Sequence, residues 1–169
     1  MLPGPLTSVV LMGVSGSGKT TVGHRAAALA GMRFIDADAL HPLENVAKMA
    51  SGHPLDDTDR APWLDSVAQA LAEATPVVVA CSALRRAYRD RLRRDAPRAL
   101  FVLLQVPRPE LESRVAARPG HFMPVGLLDS QLAALEAPAP DEGVLVLDAT
   151  RPIEELAAAV AALATPRVD

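Results

Sequence analysis

The stretch "LMGVSGSGKTT", Leu11 to Thr21, decides the fold because it joins an apolar strand to a helix through a glycine-rich loop. Its spacing fits the phosphate-binding pattern G-x-x-x-x-G-K-[ST] in the strand–loop–helix context that the pattern requires. Glycines let the backbone curl so that consecutive N–H groups face phosphate oxygens, and the helix start adds a positive dipole. The loop therefore predicts a bound nucleoside triphosphate, held by Gly13, Ser15, Gly16, Ser17, Gly18, Lys19, Thr20 and Thr21.

Two side chains of the loop carry most of the expected chemistry. Lys19 is expected to reach the β- and γ-phosphates, and the Thr20 hydroxyl is expected to hold Mg²⁺. A Walker-B aspartate at the end of a neighbouring strand usually helps the metal, but the candidate strand ends "VVVACSAL", without an acid. We expect that help from Asp36 and Asp38 in "FIDADALHP", since residues two apart on an extended segment face the same way. The alternative is an Asx turn leading into the helix after Pro42.

Short apolar runs alternate with amphipathic stretches along the chain. Five runs rich in Val and Leu predict strands covered on both faces: Ser8–Met12, Arg33–Asp36, Val77–Cys81, Leu100–Val106 and Val144–Asp148. Helical spacing joins Leu64, Val67 and Leu71, then Leu128, Leu132 and Leu135, then Leu156, Val160 and Leu163. Pro62, Pro109 and Pro152 each predict a first helical turn. This alternation predicts an α/β fold, a parallel sheet between two layers of helices.

Composition limits the class of protein. The 169 residues are 50% hydrophobic, which fits a single domain spanning residues 1–169, with "EAPAPDEG" (Glu136–Gly143) as a surface loop. A net charge of -3 and an aromatic content of 3% argue against nucleic acid as a partner, and no apolar run is long enough to cross a membrane. The single cysteine fits a reducing compartment, and the N-terminus does not resemble a signal peptide. We expect a soluble cytoplasmic protein.

The run from His41 to Trp63 is too polar to be a core element. We expect its His41, Lys48 and Arg60, together with Ser82, Arg85 and Arg89 after the third strand, on the side of the phosphate acceptor. The plain alternative is a solvated helical hairpin, in which Glu44 pairs with Lys48 and Asp59 pairs with the adjacent Arg60.

Four blocks closely resemble the gluconokinase (gluconate kinase) family in order and spacing: "GVSGSGKTT", "DADALHPLENVAKMASGHPLDDTDRAPWL", "CSALRRAYRDRLR" and "RPGHFMPVGLLDSQLAALEAP". The resemblance implies phosphorylation of D-gluconate at the 6-hydroxyl with ATP and Mg²⁺. It also implies the P-loop three-layer sandwich of nucleoside monophosphate kinases, a five-stranded parallel sheet, a mobile lid near residues 118–127, and a cytoplasmic homodimer.

The resemblance also assigns roles to residues. Arg60, helped by Arg85 or Arg89, would bind the carboxylate of gluconate through its planar fork. By analogy with shikimate kinase, Asp38 would orient the reacting hydroxyl, and Asp36 would act on the water shell of Mg²⁺. Arg114 and Arg118 would approach the phosphates from the lid, Arg151 would contact the adenine, and His121 receives no role. The catalytic set is then Lys19, Asp38 and Arg118.

Three other functions compete with this one. A kinase of the same fold could act on another sugar acid or on shikimate. A kinase of nucleic-acid ends would need a basic groove and stacking aromatics, which the composition lacks. A non-catalytic nucleotide-binding module would have no use for the Asp36/Asp38 pair or the polar acceptor run.

Overall fold

The computed structural model describes residues 5–117 and 125–165. Its centre is a five-stranded parallel sheet in the order β2-β3-β1-β4-β5. The strands are β1 (Val9–Met12), β2 (Arg33–Asp36), β3 (Val77–Ala80), β4 (Leu100–Gln105) and β5 (Leu145–Asp148). The predicted α/β sheet is confirmed, and each strand end lies within one residue of its predicted position.

The described ranges contain seven α-helices and two short 3₁₀ turns, Ala37–Leu40 and Pro140–Glu142. The helices are α1 (Lys19–Ala30), α2 (Leu43–Ala50), α3 (Asp57–Glu73), α4 (Arg86–Asp95), α5 (Arg108–Ala116), α6 (Val125–Ala134) and α7 (Ile153–Ala164). None of these helices is long and apolar enough to cross a membrane.

The side chains of β1 alternate between the two faces of the sheet, and both faces are covered. Val9 and Leu11 pack against α1 and α7, whereas Val10 and Met12 pack against α3 and α4, and all four are fully buried. Because burial is complete on both sides, the strand carries no polar residue. The layers are therefore helix, sheet and helix, as the P-loop class predicts.

The expectation of full cover is wrong for the two edge strands, β2 and β5, in which no residue is fully buried. Leu145 is 40% exposed and Val146 is 51% exposed. The cause is position, since β5 pairs only with β4 and forms one edge of the described sheet.

The prediction that Pro62 begins a helix is also wrong. Helix α3 begins at Asp57, because Asp56 and Asp59 form a reciprocal cap there: each side chain accepts a hydrogen bond from the other's backbone N–H, at 2.8 and 2.9 Å. Pro109 and Pro152, in contrast, lie at the starts of α5 and α7 as predicted.

A buried ion pair fixes the segment that follows β3. The Arg89 and Glu142 side chains are 0% and 1% exposed, and the guanidinium grips the carboxylate with two hydrogen bonds, of 2.7 and 2.9 Å. Its remaining nitrogen donates to the carbonyls of Ala83 and Leu84. The substrate role expected for Arg89 is therefore withdrawn, because its donors already have partners inside the protein. The loop containing Glu142 is likewise tied into the fold.

This pair braces an unusual backbone. Ala83 has φ 44°, a left-handed conformation that costs a residue with a β-carbon roughly 1–2 kcal/mol. Arg89 binds its carbonyl and the next one, which compensates for that cost. The pair thus helps to shape the end of β3, where the functional site lies.

We expect Glu142→Gln to lower the free energy of unfolding by about 3–5 kcal/mol, because it leaves the buried Arg89 charge uncompensated. Urea denaturation at neutral pH measures this change. Asp141→Asn is the matched control: Asp141 is the preceding residue and pairs with Arg86, but both side chains are exposed, so its effect should be much smaller. Equal effects of the two substitutions would contradict the role given to the buried pair.

The same pair sets an acid dependence. Hydrogen bonding to Arg89 lowers the pKa of Glu142 from its ordinary 4.5 to about 2. Because the pKa of Glu142 is lower in the folded protein than in the unfolded chain, its carboxylate stabilises the fold. This contribution is complete above pH 4.5 and is lost as the pH falls toward 2. The stability difference between the parent and Glu142→Gln should therefore shrink in that window.

Candidate active site

Three loops meet at the edge of the sheet where the parallel strands end. The phosphate-binding loop (P-loop, residues 13–18) follows β1, the turn that begins at Asp36 follows β2, and the segment that contains Ser82 follows β3. The Gly13 N–H donates to the Ser82 carbonyl at 3.2 Å, and the Thr20 hydroxyl donates to Asp36 Oδ2 at 3.0 Å. In open α/β sheets this edge is where ligands bind.

The P-loop has the tight curl that its sequence predicts. Gly13 has φ 142°, and a β-carbon there would lie 2.9 Å from both the Leu104 carbonyl oxygen and Ser17 Oγ. Gly16 and Gly18 also have positive φ values, of 85° and 98°. The Lys19 ammonium donates to the Val14 carbonyl at 3.1 Å and lines the cleft beside the loop.

Asp36 and Asp38 occupy different environments: the Asp36 carboxylate is hydrogen-bonded within the protein, and Asp38 lines the cleft. The Asp36 carboxylate accepts from the Asp38 N–H at 3.0 Å through Oδ1, which is the Asx turn considered from the sequence, and from Thr20 through Oδ2. Asp38 lies in the 3₁₀ turn and lines the cleft. The expected extended geometry for the pair is wrong, because the chain turns at Ala37.

A cleft of about 460 Å³ lies beside the P-loop and extends toward α2 and α3. Its polar lining comes from the P-loop, the first residue of α1, the first turn after β2, helices α3 and α6, and the segment after β3. Those side chains are Ser15, Lys19, Asp38, His41, Arg60, Ser82, Ser130 and Gln131. The cleft thus places phosphate-binding groups and polar acceptor groups in one space.

Of the four acceptor-side cations expected from the sequence, Arg60 is the one that lines the cleft. Its guanidinium lies over the Tyr88 ring, 5.6 Å from the centroid, and donates to the Tyr88 hydroxyl at 3.3 Å. Tyr88 in turn donates to Asp57. The Tyr88 side chain, itself held by Asp57, therefore fixes the position of the Arg60 guanidinium.

Lys48 and Arg85 have other partners. Lys48 donates to Asp59 at 2.6 Å, so the expected pairs Glu44–Lys48 and Asp59–Arg60 are both replaced by a tie between α2 and α3. Arg85 lies 3.4 Å from Asp57. Neither residue lines the cleft. Both instead form ion pairs with the first turn of α3, the helix that carries Arg60.

Gln131 was not among the residues predicted for the site. Its Oε1 accepts from the Ser15 N–H of the P-loop at 2.8 Å. Helix α6 is held over the loop by Leu128, which packs with Val14, Leu84 and Leu111. One signal was available: a lone amide within the apolar face pattern of this helix.

A second cavity, of about 300 Å³, lies on the other side of the P-loop. Arg114 and Arg151 both line it, near Gly16 and Ser17. Arg114 also donates to the carbonyls of Gly16 and Ala149, at 3.3 and 2.8 Å. These contacts link the P-loop to the turn after β5.

The remaining predicted lid residues are only partly described. Arg118 and His121 lie outside the described residues. Helix α6 begins at Val125, so residues 125–127 of the expected lid belong to a helix.

Cys81 is unsuited to thiol chemistry although it adjoins the site. It is completely buried, and burial raises the pKa of its thiol to about 12. A neutral, enclosed thiol is a poor nucleophile.

A P-loop at the carboxyl edge of a five-stranded parallel sheet, opening on a polar cleft, defines a P-loop kinase. A family model described as "AAA domain" matches residues 9–138. The crystal structure of a gluconokinase from Sinorhizobium meliloti 1021 superposes with a TM-score of 0.84 and 47% identity, covering 94% of this chain and 93% of that one.

A gluconokinase from Gluconobacter oxydans (strain 621H) is 48% identical over 141 residues, 81% of this chain and 79% of the relative. A shikimate kinase from Bacteroides thetaiotaomicron, at 20% identity and a TM-score of 0.71 over 94% of this chain and 98% of that one, shares the fold alone. This chain belongs to the gluconokinase family.

We expect Gly13→Ala to abolish nucleotide binding and to lower the melting temperature, because its methyl group would meet a backbone carbonyl. Binding of a fluorescent ATP analogue and thermal unfolding measure the two effects. Gly31→Ala is the matched control, since Gly31 also has positive φ (+65°) but its β-carbon would meet nothing within 4 Å. It should cost only about 1–2 kcal/mol of stability and leave binding intact. A Gly13→Ala protein that binds nucleotide like the parent would contradict the crowding described here.

Proposed function

We propose that this chain transfers the γ-phosphoryl group of ATP to the 6-hydroxyl of D-gluconate, giving 6-phospho-D-gluconate and ADP. The observation that carries the proposal is the shared cleft, in which Lys19, directly after the P-loop, stands with Asp38 and Arg60. Identity of 47–48% to gluconokinases supports the choice of acceptor.

Arg60 suits the carboxylate end of gluconate. Its planar guanidinium can bind a carboxylate with two parallel hydrogen bonds, and Tyr88 holds it in place. His41 and Ser82 also line the cleft and can bind hydroxyl groups of the acceptor. Lys48, Arg85 and Arg89 are each paired with a carboxylate of the protein, so direct contacts to the acceptor are not proposed for them.

Asp38 suits the reacting end. Its carboxylate can accept a hydrogen bond from the 6-hydroxyl, orient its oxygen toward the γ-phosphorus, and receive its proton as the bond forms. The γ-phosphoryl group passes through a loose transition state, so positioning and electrostatic stabilisation supply most of the rate. Lys19 supplies a positive charge where negative charge is transferred.

Thr20 and Asp36 are the residues we propose for magnesium. Their hydroxyl and carboxylate oxygens lie side by side, and oxygen atoms are the ligands that Mg²⁺ prefers. No cluster of three or more His, Cys, Asp or Glu side chains suited to a metal occurs in the described part of the chain. A weakly ligated ion shared with phosphates, partly through water at Asp36, fits that donor set. When bound, Mg²⁺ would neutralise charge on the phosphate oxygens.

The other proposed contacts complete the nucleotide side. Arg151 and Arg114 border the second cavity, which we propose for the adenine end of ATP. Arg118, in the segment predicted to form a lid, is proposed to approach the phosphates during transfer. We further propose that the enzyme works in the cytoplasm as a homodimer, as the family resemblance implies.

The competing acceptors have less support. Shikimate kinases share only the fold with this chain. Another sugar acid remains chemically compatible with a cleft that offers one guanidinium and several hydroxyl-binding groups.

We expect D-gluconate to give Mg²⁺-dependent ADP release well above the background without acceptor. Shikimate, nucleoside monophosphates and 5′-hydroxyl oligonucleotides should stay near that background, because they lack a sugar-acid chain matched to Arg60 and Asp38. A coupled ADP assay over this panel is the measurement. Turnover of a nucleoside monophosphate above that of gluconate would refute the proposed acceptor.

We expect Asp38→Asn to lower kcat by roughly 10²–10⁴-fold, at the lower end because proton motion in phosphoryl transfer is small. ATP binding should persist. Asp36→Asn, the matched variant, should instead weaken apparent Mg²⁺ affinity and be partly rescued by excess Mg²⁺. Steady-state kinetics across a Mg²⁺ titration test both. If excess Mg²⁺ rescued only Asp38→Asn, or if Asp38→Asn turned over gluconate like the parent protein, the roles proposed for Asp38 and Asp36 would be wrong.

A further inference from the structure

We infer that Asn45 is a positioning residue that holds His41 in the tautomer with its hydrogen on Nε2, so that His41 donates a hydrogen bond to an oxygen of the acceptor. The identity of the acceptor rests on the proposed function. The tautomer rests only on contacts between described residues.

The orientation of the Asn45 amide is set by a backbone carbonyl. Asn45 is 5% exposed, and its Nδ2 donates to the Asp59 carbonyl at 2.8 Å. A carbonyl oxygen can only accept, so the nitrogen of the amide must face it. This contact joins α2 to the first turn of α3.

The second hydrogen of the same nitrogen determines the state of His41. Asn45 Nδ2 lies 3.3 Å from His41 Nδ1. A donor facing Nδ1 requires a lone pair there, and a neutral imidazole with a lone pair on Nδ1 carries its hydrogen on Nε2. The amide thus selects one tautomer.

The charged form of His41 is disfavoured in the same place. An imidazolium would direct its Nδ1–H at the hydrogens of Asn45. Burial also lowers the pKa of His41; Asp38 opposes this shift and Arg60 adds to it. The ring is therefore neutral at neutral pH.

The ring plane is fixed by Trp63. The two rings stack with centroids 4.3 Å apart and an angle of 13°. Trp63 is itself buried and anchored, because its indole N–H donates to the Ala37 carbonyl at 2.7 Å. With Nδ1 turned to Asn45 and one face on Trp63, Nε2 is the atom that His41 offers to the cleft it lines.

A donor at this position complements the other groups of the cleft. Carboxylate and hydroxyl oxygens of a sugar acid both accept hydrogen bonds, so Nε2–H and Arg60 can bind them together. Asp38 supplies the acceptor that the reacting hydroxyl needs. The opposite tautomer would present a second acceptor and lose this contact.

The test uses the full chain labelled with ¹⁵N-histidine and a long-range ¹H–¹⁵N correlation spectrum, which distinguishes the two tautomers. The signal of His41 among the four histidines is assigned by its loss in His41→Gln. We expect the hydrogen on Nε2 in the parent protein. Asn45→Asp places a carboxylate against Nδ1, so we expect the hydrogen to move to Nδ1 or the ring to become charged.

If the ring of Asn45→Asp is neutral and has lost its Nε2 hydrogen, KM for gluconate should rise by about tenfold, the loss expected for one hydrogen bond, with KM for ATP unchanged. A charged ring keeps its Nε2–H and should leave the gluconate KM near the parental value. Ser51→Ala, at the residue that follows α2, is the control. The Ser51 hydroxyl donates to the Lys48 carbonyl and contacts the His53 ring, so this variant should alter neither the His41 signal nor gluconate KM.

The inference would be overturned if His41 of the parent protein carried its hydrogen on Nδ1 or were charged at neutral pH. This measurement needs no variant. An unchanged His41 signal in folded Asn45→Asp would also overturn the inference. A neutral ring in Asn45→Asp that has lost its Nε2 hydrogen, with unchanged gluconate KM, would overturn the contact to the acceptor. Absence of gluconate turnover in a parent that shows the Nε2–H form would refute the proposed acceptor and leave the tautomer standing.

Discussion

The central place of β1 in the sheet constrains everything that follows it. This strand pairs with β3 on one side and β4 on the other, and its four side chains have no exposed surface. The chain that leaves it enters a space already bounded by the Leu104 carbonyl and the Ser82 carbonyl. Only a glycine fits at the exit, and the loop must fold back over the start of α1. The phosphate site is thus a product of packing in the core as much as of the loop itself.

The acceptor side depends on polar ties of a different kind. Lys48 with Asp59, Asn45 with the Asp59 carbonyl, and Trp63 with the Ala37 carbonyl join two helices and the turn after β2. They let a segment of high charge density form a defined wall, and they leave Arg60, Asp38 and His41 directed at one space.

Sequence patterns predicted the fold well because they report on local rules. Unbroken runs of Val and Leu located the strands, and the P-loop spacing located the loop and the helix after it. The partners of charged residues were predicted poorly. Glu44–Lys48 satisfied a local spacing rule worth only a few tenths of a kcal/mol, whereas Lys48 and Arg89 pair with residues 11 and 53 positions away. Such pairs form only when the tertiary structure brings their residues together, so they cannot be predicted from local spacing in one sequence. Gln131 escaped notice for the same reason.

Cys81 has a practical consequence for the study of motion in this protein. It is the single cysteine of the chain, and it is enclosed and protonated at any pH used for thiol labelling. A cysteine introduced on the surface would therefore react with a maleimide dye or spin label without competition. Pairs of labels on α2 and α6 could then report distances across the cleft during turnover, in a protein that needs no prior removal of native thiols.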